Sequence, residues 1–283
     1  MLALEGNPSH FYEILFAQKP HQGQQQIAKQ LRDWLNSEVQ TAHQSPRLQD
    51  RYSLRCAPHI IGVFEDSKTW LRQFIENELN SSNDNPLIDP INLRILHGGH
   101  FYGGHIAQAM DSLKIMIANI ADLMDRQIAQ LVDHKMNHGL PRNLTGSTAE
   151  RLPLNHGFKA VQIGVSAWTA EALKNTLAAS IFSRSTECHN QDKVSMGTIA
   201  ARDATRVITL TQQVLAALCC ASVQAVHLKG LVPELSPSLK AFVVWTLQSF
   251  ALLEEDRPLQ TELQQIIDRF DNFELLNQFQ TKA

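Results

Sequence analysis

The sequence predicts an all-α fold, a bundle of long helices, and three observations carry that prediction. Leu113–Asn137 and Thr198–Lys229 contain neither glycine nor proline, while Gly98, Gly99, Gly103 and Gly104 crowd into one short segment. Long intervals without breakers are what long helices require. From Ile106 the apolar positions run Met110, Leu113, Ile117, Ile120, Met124 and, past Gln127, Leu131. These steps of four and three describe a heptad seam. Finally, no pair of alternating β-rich runs is joined by a hairpin signal.

Each element has its own local reason. Pro58 opens a helix expected to run to Glu76. The Ile106–Leu131 segment would span roughly 45 Å if about 30 residues are helical, and so needs helical partners along most of its length. Phe158–Ile181 is rich in alanine and other small residues, which permits close helix packing. Ser195 is the expected N-cap of the next helix, and Lys229-Gly230 supplies a cation and a breaker at its end. Within it Val214–Ala221 is apolar on every face, so this helix should be buried all round. Ser236-Pro237 starts a helix toward Leu253, and Pro258 a shorter one toward Phe270. Residues 1–283 are read as a single all-α unit, with a glutamine-rich stretch at Gln22–Gln30 and no internal repeat.

Composition narrows the function classes. With 283 residues, 43% of them hydrophobic, the chain can bury a substantial core. Twenty-five basic against 28 acidic residues leave a net charge of −3, so no nucleic-acid partner is expected. The longest apolar run, Val214–Ala221, is too short to span a bilayer, and no membrane is expected either. Cys56, Cys188, Cys219 and Cys220 form no C-x-x-C pair, which fits a reducing cytoplasm.

Four segments do not read as helix filler. Gln49-Asp-Arg-Tyr-Ser-Leu-Arg-Cys56 packs cations, a phenol and an amide just ahead of a helix. There Arg55 can fork two hydrogen bonds onto a carboxylate and Tyr52, three residues away, can face the same site; a surface loop with an Arg–Asp pair is the alternative. Asn80-Ser-Ser-Asn-Asp-Asn-Pro86 reads as a tight turn. His97-Gly-Gly-His-Phe-Tyr-Gly-Gly-His105 invites a metal, but no Cys or carboxylate falls inside it. A glycine loop presenting Phe101 and Tyr102 to a cavity suits it better. His134 and His138 share a helix face without an intervening H-E-x-x-H glutamate. Glu187-Cys-His-Asn-Gln-Asp-Lys-Val-Ser-Met-Gly197 gathers acids, an imidazole and amides at the mouth of the all-apolar helix, as caps or as a site. Cys188 beside His189 is discounted as a dyad, because sequence neighbours rarely form one.

Taken in order, these strings resemble the aromatic amino acid ammonia-lyase family, which includes histidine, phenylalanine and tyrosine ammonia-lyases and related aminomutases. The resemblance rests on Gln49–Cys56, Asn80–Pro86, the loop around Phe101, Gly139-Leu-Pro141, Gly157-Phe-Lys159, Asn190-Gln-Asp192 and Val194-Ser-Met-Gly197. Leu4-Glu-Gly-Asn7 and Pro20-His-Gln-Gly-Gln24 resemble the family's mid-chain sequence, so the likeness covers the C-terminal half of its usual length. The family's electrophile, methylidene-imidazolone, forms from an internal Ala-Ser-Gly, and no such tripeptide occurs in these 283 residues. The resemblance therefore implies no cofactor made within this chain. It implies a fragment, a split gene product or one of two complementing subunits, inactive without an N-terminal half.

Carried over residue by residue, the resemblance implies that Arg55 holds the substrate carboxylate, that Tyr52 lies near the electrophile and that Gln49 supports both. Phe101 would sit over the substrate and Glu187 near its amine, with Asn190 and Gln191 lining the same region. The family's sites draw on three subunits of a homotetramer, to which the long heptad helix would belong. Histidine lyases carry Glu at the position of Gln191, whereas phenylalanine and tyrosine types carry Gln. A neutral amide suits an uncharged aryl ring, so an aromatic amino acid of phenylalanine or tyrosine type is the expected substrate. Lys193 departs from the His or apolar residue of many members.

Overall fold

A computed structural model of the chain describes residues 1–35 and 48–274; the single-unit reading of 1–283 thus includes residues outside those described. Its helices are α1 (Glu13–Ala17), α2 (Gln22–Leu35), α3 (Tyr52–Arg55), α4 (Ala57–Leu79), α5 (Gly104–Val132), α6 (Lys159–Lys174), α7 (Gly197–Leu228), α8 (Pro237–Leu247) and α9 (Gln260–Asp271). Short 3₁₀ turns link them. The expected all-α bundle is present, with α5 and α7 packed along most of their length and α4, α6 and α9 laid against them.

One local expectation fails. A small antiparallel hairpin, β1 (Leu87–Asp89) and β2 (Arg94–Leu96), pairs Leu87 with Leu96 and Asp89 with Arg94. Each strand has only three residues, too few for an alternating pattern, and the turn is closed by Asp89, whose carboxylate accepts the Ile91 and Asn92 N–H groups. Its apolar residues Ile88, Ile91, Leu93 and Ile95 are exposed.

The 32-residue α7 is the core helix. It is long and apolar enough to cross a membrane by length and composition, a property that the short Val214–Ala221 run does not reveal. Over half of that window, 56%, is buried inside the protein, where Val214, Ala217, Cys220 and Ala221 meet Phe158, Trp245, Phe250 and Ile266. Burial pushes the Cys219 thiol up to about 12, as expected of a small core residue rather than a nucleophile. Its start also differs from expectation: Met196, at φ 59°, occupies the N-cap, while Ser195 Oγ accepts the Gly197 N–H at 3.3 Å. In α8 the expected cap is made, Ser236 Oγ accepting the Leu239 N–H, but the helix stops at Leu247 and leaves Phe250 and Leu253 to enter the core from a loop. His134 and His138 lie beyond the end of α5, not on it, and His138 Nδ1 sits 3.3 Å from Glu5 Oε2.

The apolar seam of α5 is buried at its C-terminal end, where Met124 and Leu131 enter the core, but not over its first four turns. Ile106, Met110, Leu113, Ile117 and Ile120 are only half-buried. There the fully buried residues lie mainly one position further on, at Ala107, Asp111, Lys114, Ala118 and Ala121. Lys114 is fully enclosed, its Nζ 2.9 Å from Asp111 Oδ1, 3.2 Å from Asp203 Oδ2 of α7, and donating to the Leu177 carbonyl at 2.8 Å. Asp111 also accepts the Ala179 and Ser180 N–H groups, each at 3.0 Å. Burial opposes the Asp111 charge, but its hydrogen bonds from Lys114, Ser180 and Ala179 hold the carboxyl below its ordinary value.

Two glycines set the approach of α2 to α4. A Cβ on Gly62 would lie 2.5 Å from the Gln24 nitrogen, and Gly23 faces the Gly62 carbonyl just as closely. Gly23 N–H donates to Asp66 at 2.6 Å across the same crossing. Gly62→Ala is expected to prise the helices apart at a cost of about 1–3 kcal/mol, read as a lower urea midpoint. Lys114→Met strands the buried Asp111 carboxylate and should cost about 3–5 kcal/mol, by the same measurement; an unchanged midpoint would show that Lys114 does not neutralise it.

Candidate functional site

The sequence-predicted site residues form two clusters, one at each end of α5. The first is built on α3. Ser53 ties it to the C-terminal end of α5, its carbonyl accepting from Gln127 Nε2 at 2.8 Å and its Oγ meeting Gln130 Nε2 at 2.5 Å. Arg55 Nε donates to the Asp50 carbonyl at 2.9 Å, and the guanidinium lies 4.8 Å from the centroid of the Tyr52 ring. The expected alternative, an Arg–Asp side-chain pair, is not what forms: Arg55 uses the backbone of Asp50. Tyr52 is 70% exposed and Gln49 is exposed. With Nε engaged, the terminal nitrogens of Arg55 remain to fork onto a carboxylate.

The second cluster is at the N-terminal end of α5. Gly98 N–H donates to Asn85 Oδ1 at 2.8 Å, so the glycine loop is hung from the Asn80–Pro86 turn. Phe101, 61% exposed, stands out from that loop. The loop and the Glu187–Gly197 segment touch through their backbones: a side chain on Gly197 would come within 3.2 Å of the Gly103 carbonyl. Glu187, Cys188 and His189 are consecutive residues at φ 51°, 52° and 66°. This left-handed turn is closed by a backbone bridge between Thr186 and Gln191. Inside it Glu187 Oε2 accepts from Asn190 Nδ2 at 2.7 Å, and Gln191 Oε1 accepts from Thr186 Oγ1 at 3.2 Å. Glu187, Asn190 and Gln191 are all exposed. Segment 177–180, held to α5 by Asp111 and Lys114, launches this loop.

The structure thus places Gln49, Tyr52 and Arg55 by the C-terminal end of α5, with Arg55 over the Tyr52 ring, and Phe101, Glu187, Asn190 and Gln191 on two loops at its N-terminal end. Some 23 helical residues separate Ala107 from Gln130, roughly 35 Å. Sequence reasoning missed the supporting roles of Gln127, Gln130, Asp111 and Thr186; burial of a polar side chain on an apolar-looking helix marks Asp111 and Gln130, whereas Thr186 is exposed in a loop. Among the described residues no three His, Cys, Asp or Glu side chains converge as metal ligands, and His105 packs edge-on against Phe74 at 4.8 Å.

Comparison with known proteins identifies the family and the fold. The family model described as aromatic amino acid lyase matches residues 1–245. Tyrosine ammonia-lyase of Cereibacter sphaeroides is 36% identical over 278 residues, covering 92% of this chain and 52% of that protein. Histidine ammonia-lyase of Natranaerobius thermophilus is 33% identical over 266 residues, covering 93% and 51%. Among solved structures, tyrosine aminomutase from Streptomyces globisporus superposes with a TM-score of 0.87 at 30% identity, covering 99% of this chain and 56% of that one. Histidine ammonia-lyase from Trypanosoma cruzi gives 0.85 at 27% identity, covering 98% and 51%. The chain belongs to the aromatic amino acid lyase family. It spans about half the length of the curated relatives it matches.

The left-handed turn yields a prediction. A β-branched side chain tolerates positive φ poorly, so Cys188→Val should weaken the Thr186–Gln191 bridge by about 1–2 kcal/mol. Faster amide exchange at Thr186 and Gln191, with α7 unchanged, is the expected result.

Proposed function

We propose that this chain is the C-terminal, carboxylate-binding portion of an aromatic amino acid ammonia-lyase, which eliminates ammonia from an L-aromatic amino acid to give a trans-arylacrylate. The observation that carries the reading is the exposed state of both clusters: a half-buried Arg55 with its fork open beside Tyr52, and a separate Phe101–Gln191 group. The chain cannot build the family's electrophile, because it contains no Ala-Ser-Gly; when present, that group supplies the electron sink for loss of the amine. It must come from residues outside these 283, on the same polypeptide or another.

In this reading Arg55 binds the substrate carboxylate through two charge-assisted hydrogen bonds, and the Asp50 carbonyl fixes the plane of the guanidinium. Tyr52 presents its hydroxyl beside the carboxylate. Phe101 covers the aryl ring and excludes water, and Gln191 reads that ring with a neutral amide, favouring phenylalanine or tyrosine over histidine. Glu187, held against Asn190, faces the amine. Because one chain keeps its clusters roughly 35 Å apart, the complete site forms where the Tyr52 end of one copy meets the Phe101 end of another. Two α5 helices running antiparallel, joined through the half-buried Ile106–Ile120 face, would place them so; a homotetramer in the cytoplasm is the assembly that fits.

The aminomutase similarity supports a second reading, in which the released ammonia re-adds at the β-carbon. Chromatography for β-amino acids separates the two. The purified chain should release no ammonia, and co-expression with an Ala-Ser-Gly-bearing N-terminal half should restore arylacrylate absorbance in the near ultraviolet. Arg55→Ala in that assembly should raise KM about 10- to 100-fold, the weight of a charged hydrogen-bond pair, with a smaller change in kcat. Failure of the halves to assemble, or unchanged KM, would overturn the assignment.

A further inference from the structure

We propose that His10 is a positioning residue for Arg55 and Tyr52: its neutral imidazole accepts the Asp50 N–H and so seats the segment that presents them. His10 lies on the 3₁₀ turn Pro8–Phe11, fixed at its start by Asn7, whose side chain accepts the Ser9 N–H at 2.9 Å. The Asp50 N–H donates to His10 Nε2 at 3.1 Å, forty residues away in sequence. A backbone N–H can only donate, so Nε2 must carry its lone pair, and the ring is the uncharged Nδ1–H tautomer.

Asp50 is a junction whose N–H, carboxylate and carbonyl are each engaged. Its N–H goes to His10, its Oδ2 accepts the Asn7 N–H at 2.7 Å, and its carbonyl accepts Arg55 Nε at 2.9 Å. It is buried, at 5% exposure. The orientation of Arg55 is therefore set through one residue's backbone, and that backbone is held in place from the Pro8–Phe11 turn. Nothing else among the described contacts ties Asp50 to that turn except Asn7.

Protonation at Nε2 would turn the acceptor into a donor facing the Asp50 N–H. The new N–H would be drawn to the Asp50 carboxylate, 3.7 Å away, in competition with Asn7. The charged groups around His10 are that carboxylate, the Arg55 guanidinium, the Met1 amino group beside Asp50 and, from α2, Arg32, which donates to the Phe11 carbonyl. Burial lowers the His10 pKa, Asp50 raises it and Arg55 lowers it, and the balance lies below the ordinary value. The sign follows. A histidine depressed in the folded state stays neutral at neutral pH, and its contribution is present above the unfolded value and lost as pH falls through the folded one.

The role of Arg55 in binding rests on the reading above, but the coupling of His10 to Asp50 and to Arg55 Nε does not. The test uses the full chain with ¹⁵N-labelled His, Asp and Arg, titrated by NMR from about pH 8 to about pH 5. The Asp50 amide shift should move with the His10 ring at one midpoint, and protection of the Asp50 N–H and Arg55 Nε–H should fall at least about tenfold on the acid side. His10→Gln, whose amide oxygen reaches the Nε2 position, should keep the protection and abolish the acid step. His10→Leu should lose the protection at every pH. In the assembly complemented with an Ala-Ser-Gly-bearing half, KM should rise in acid for the native chain, stay flat for His10→Gln and be high throughout for His10→Leu. An Asp50 amide indifferent to His10 titration, an acid step that survives in His10→Gln, or a KM that ignores all three forms would overturn the proposal. If no active assembly forms, the lyase reading fails, and the Asp50 and Arg55 exchange data still decide the role of His10.

Discussion

The enclosed ammonium of Lys114 fixes how the two longest helices meet. A buried cation must be surrounded by oxygen, and oxygens from α5, α7 and the chain at Leu177 converge on it in only one rotation of α5. That rotation buries the alanines at 107, 118 and 121 and turns the larger Ile106, Met110, Leu113, Ile117 and Ile120 aside. The same ion group clamps residues 177–180, from which the Glu187–Gln191 turn departs. A single polar contact thus sets the helix register, leaves an apolar face half-open and aims one of the two clusters.

The other cluster is secured by different means. Among the described residues no charge pair holds Arg55: its Nε donates to the Asp50 carbonyl, Asp50 is joined in turn to His10 and Asn7, and Ser53 fastens α3 to two glutamines of α5. Backbone anchoring leaves the charged fork of Arg55 available, whereas a salt bridge would have consumed it. At the opposite end, side chains inside a tight left-handed turn hold one another, Glu187 with Asn190 and Thr186 with Gln191. Both ends present exposed groups on hydrogen-bonded supports, as the proposed division of the site between copies requires.

Helix spacing, glycine placement and the ordered strings around Gln49, Phe101 and Asn190 were legible in the sequence, because each depends on local rules or on short motifs. The packed face of the first turns of α5 was not, since an Asp and a Lys in a seam read as solvent-facing until partners forty or more residues away are known. The hairpin at 87–96 escaped because three-residue strands carry no period. The start of α7 was misjudged by one residue because Met196, not serine, turns the chain. His10 was invisible for the same reason as Asp111: its importance lies in accepting a main-chain hydrogen, and main-chain partners leave no mark on side-chain patterns.

The separation of the two clusters has a genetic consequence. If each site takes its α3 end from one copy and its Phe101 end from another, a chain damaged only at Arg55 and a chain damaged only at Glu187 carry complementary defects. Mixed assemblies of the two would contain some sites with both ends intact, so two inactive alleles could restore activity together. Two defects confined to the same end could not. Inheritance of loss-of-function changes in such a protein would follow the geometry of α5, pairing by which end of a helix is broken rather than by how severe each change is alone.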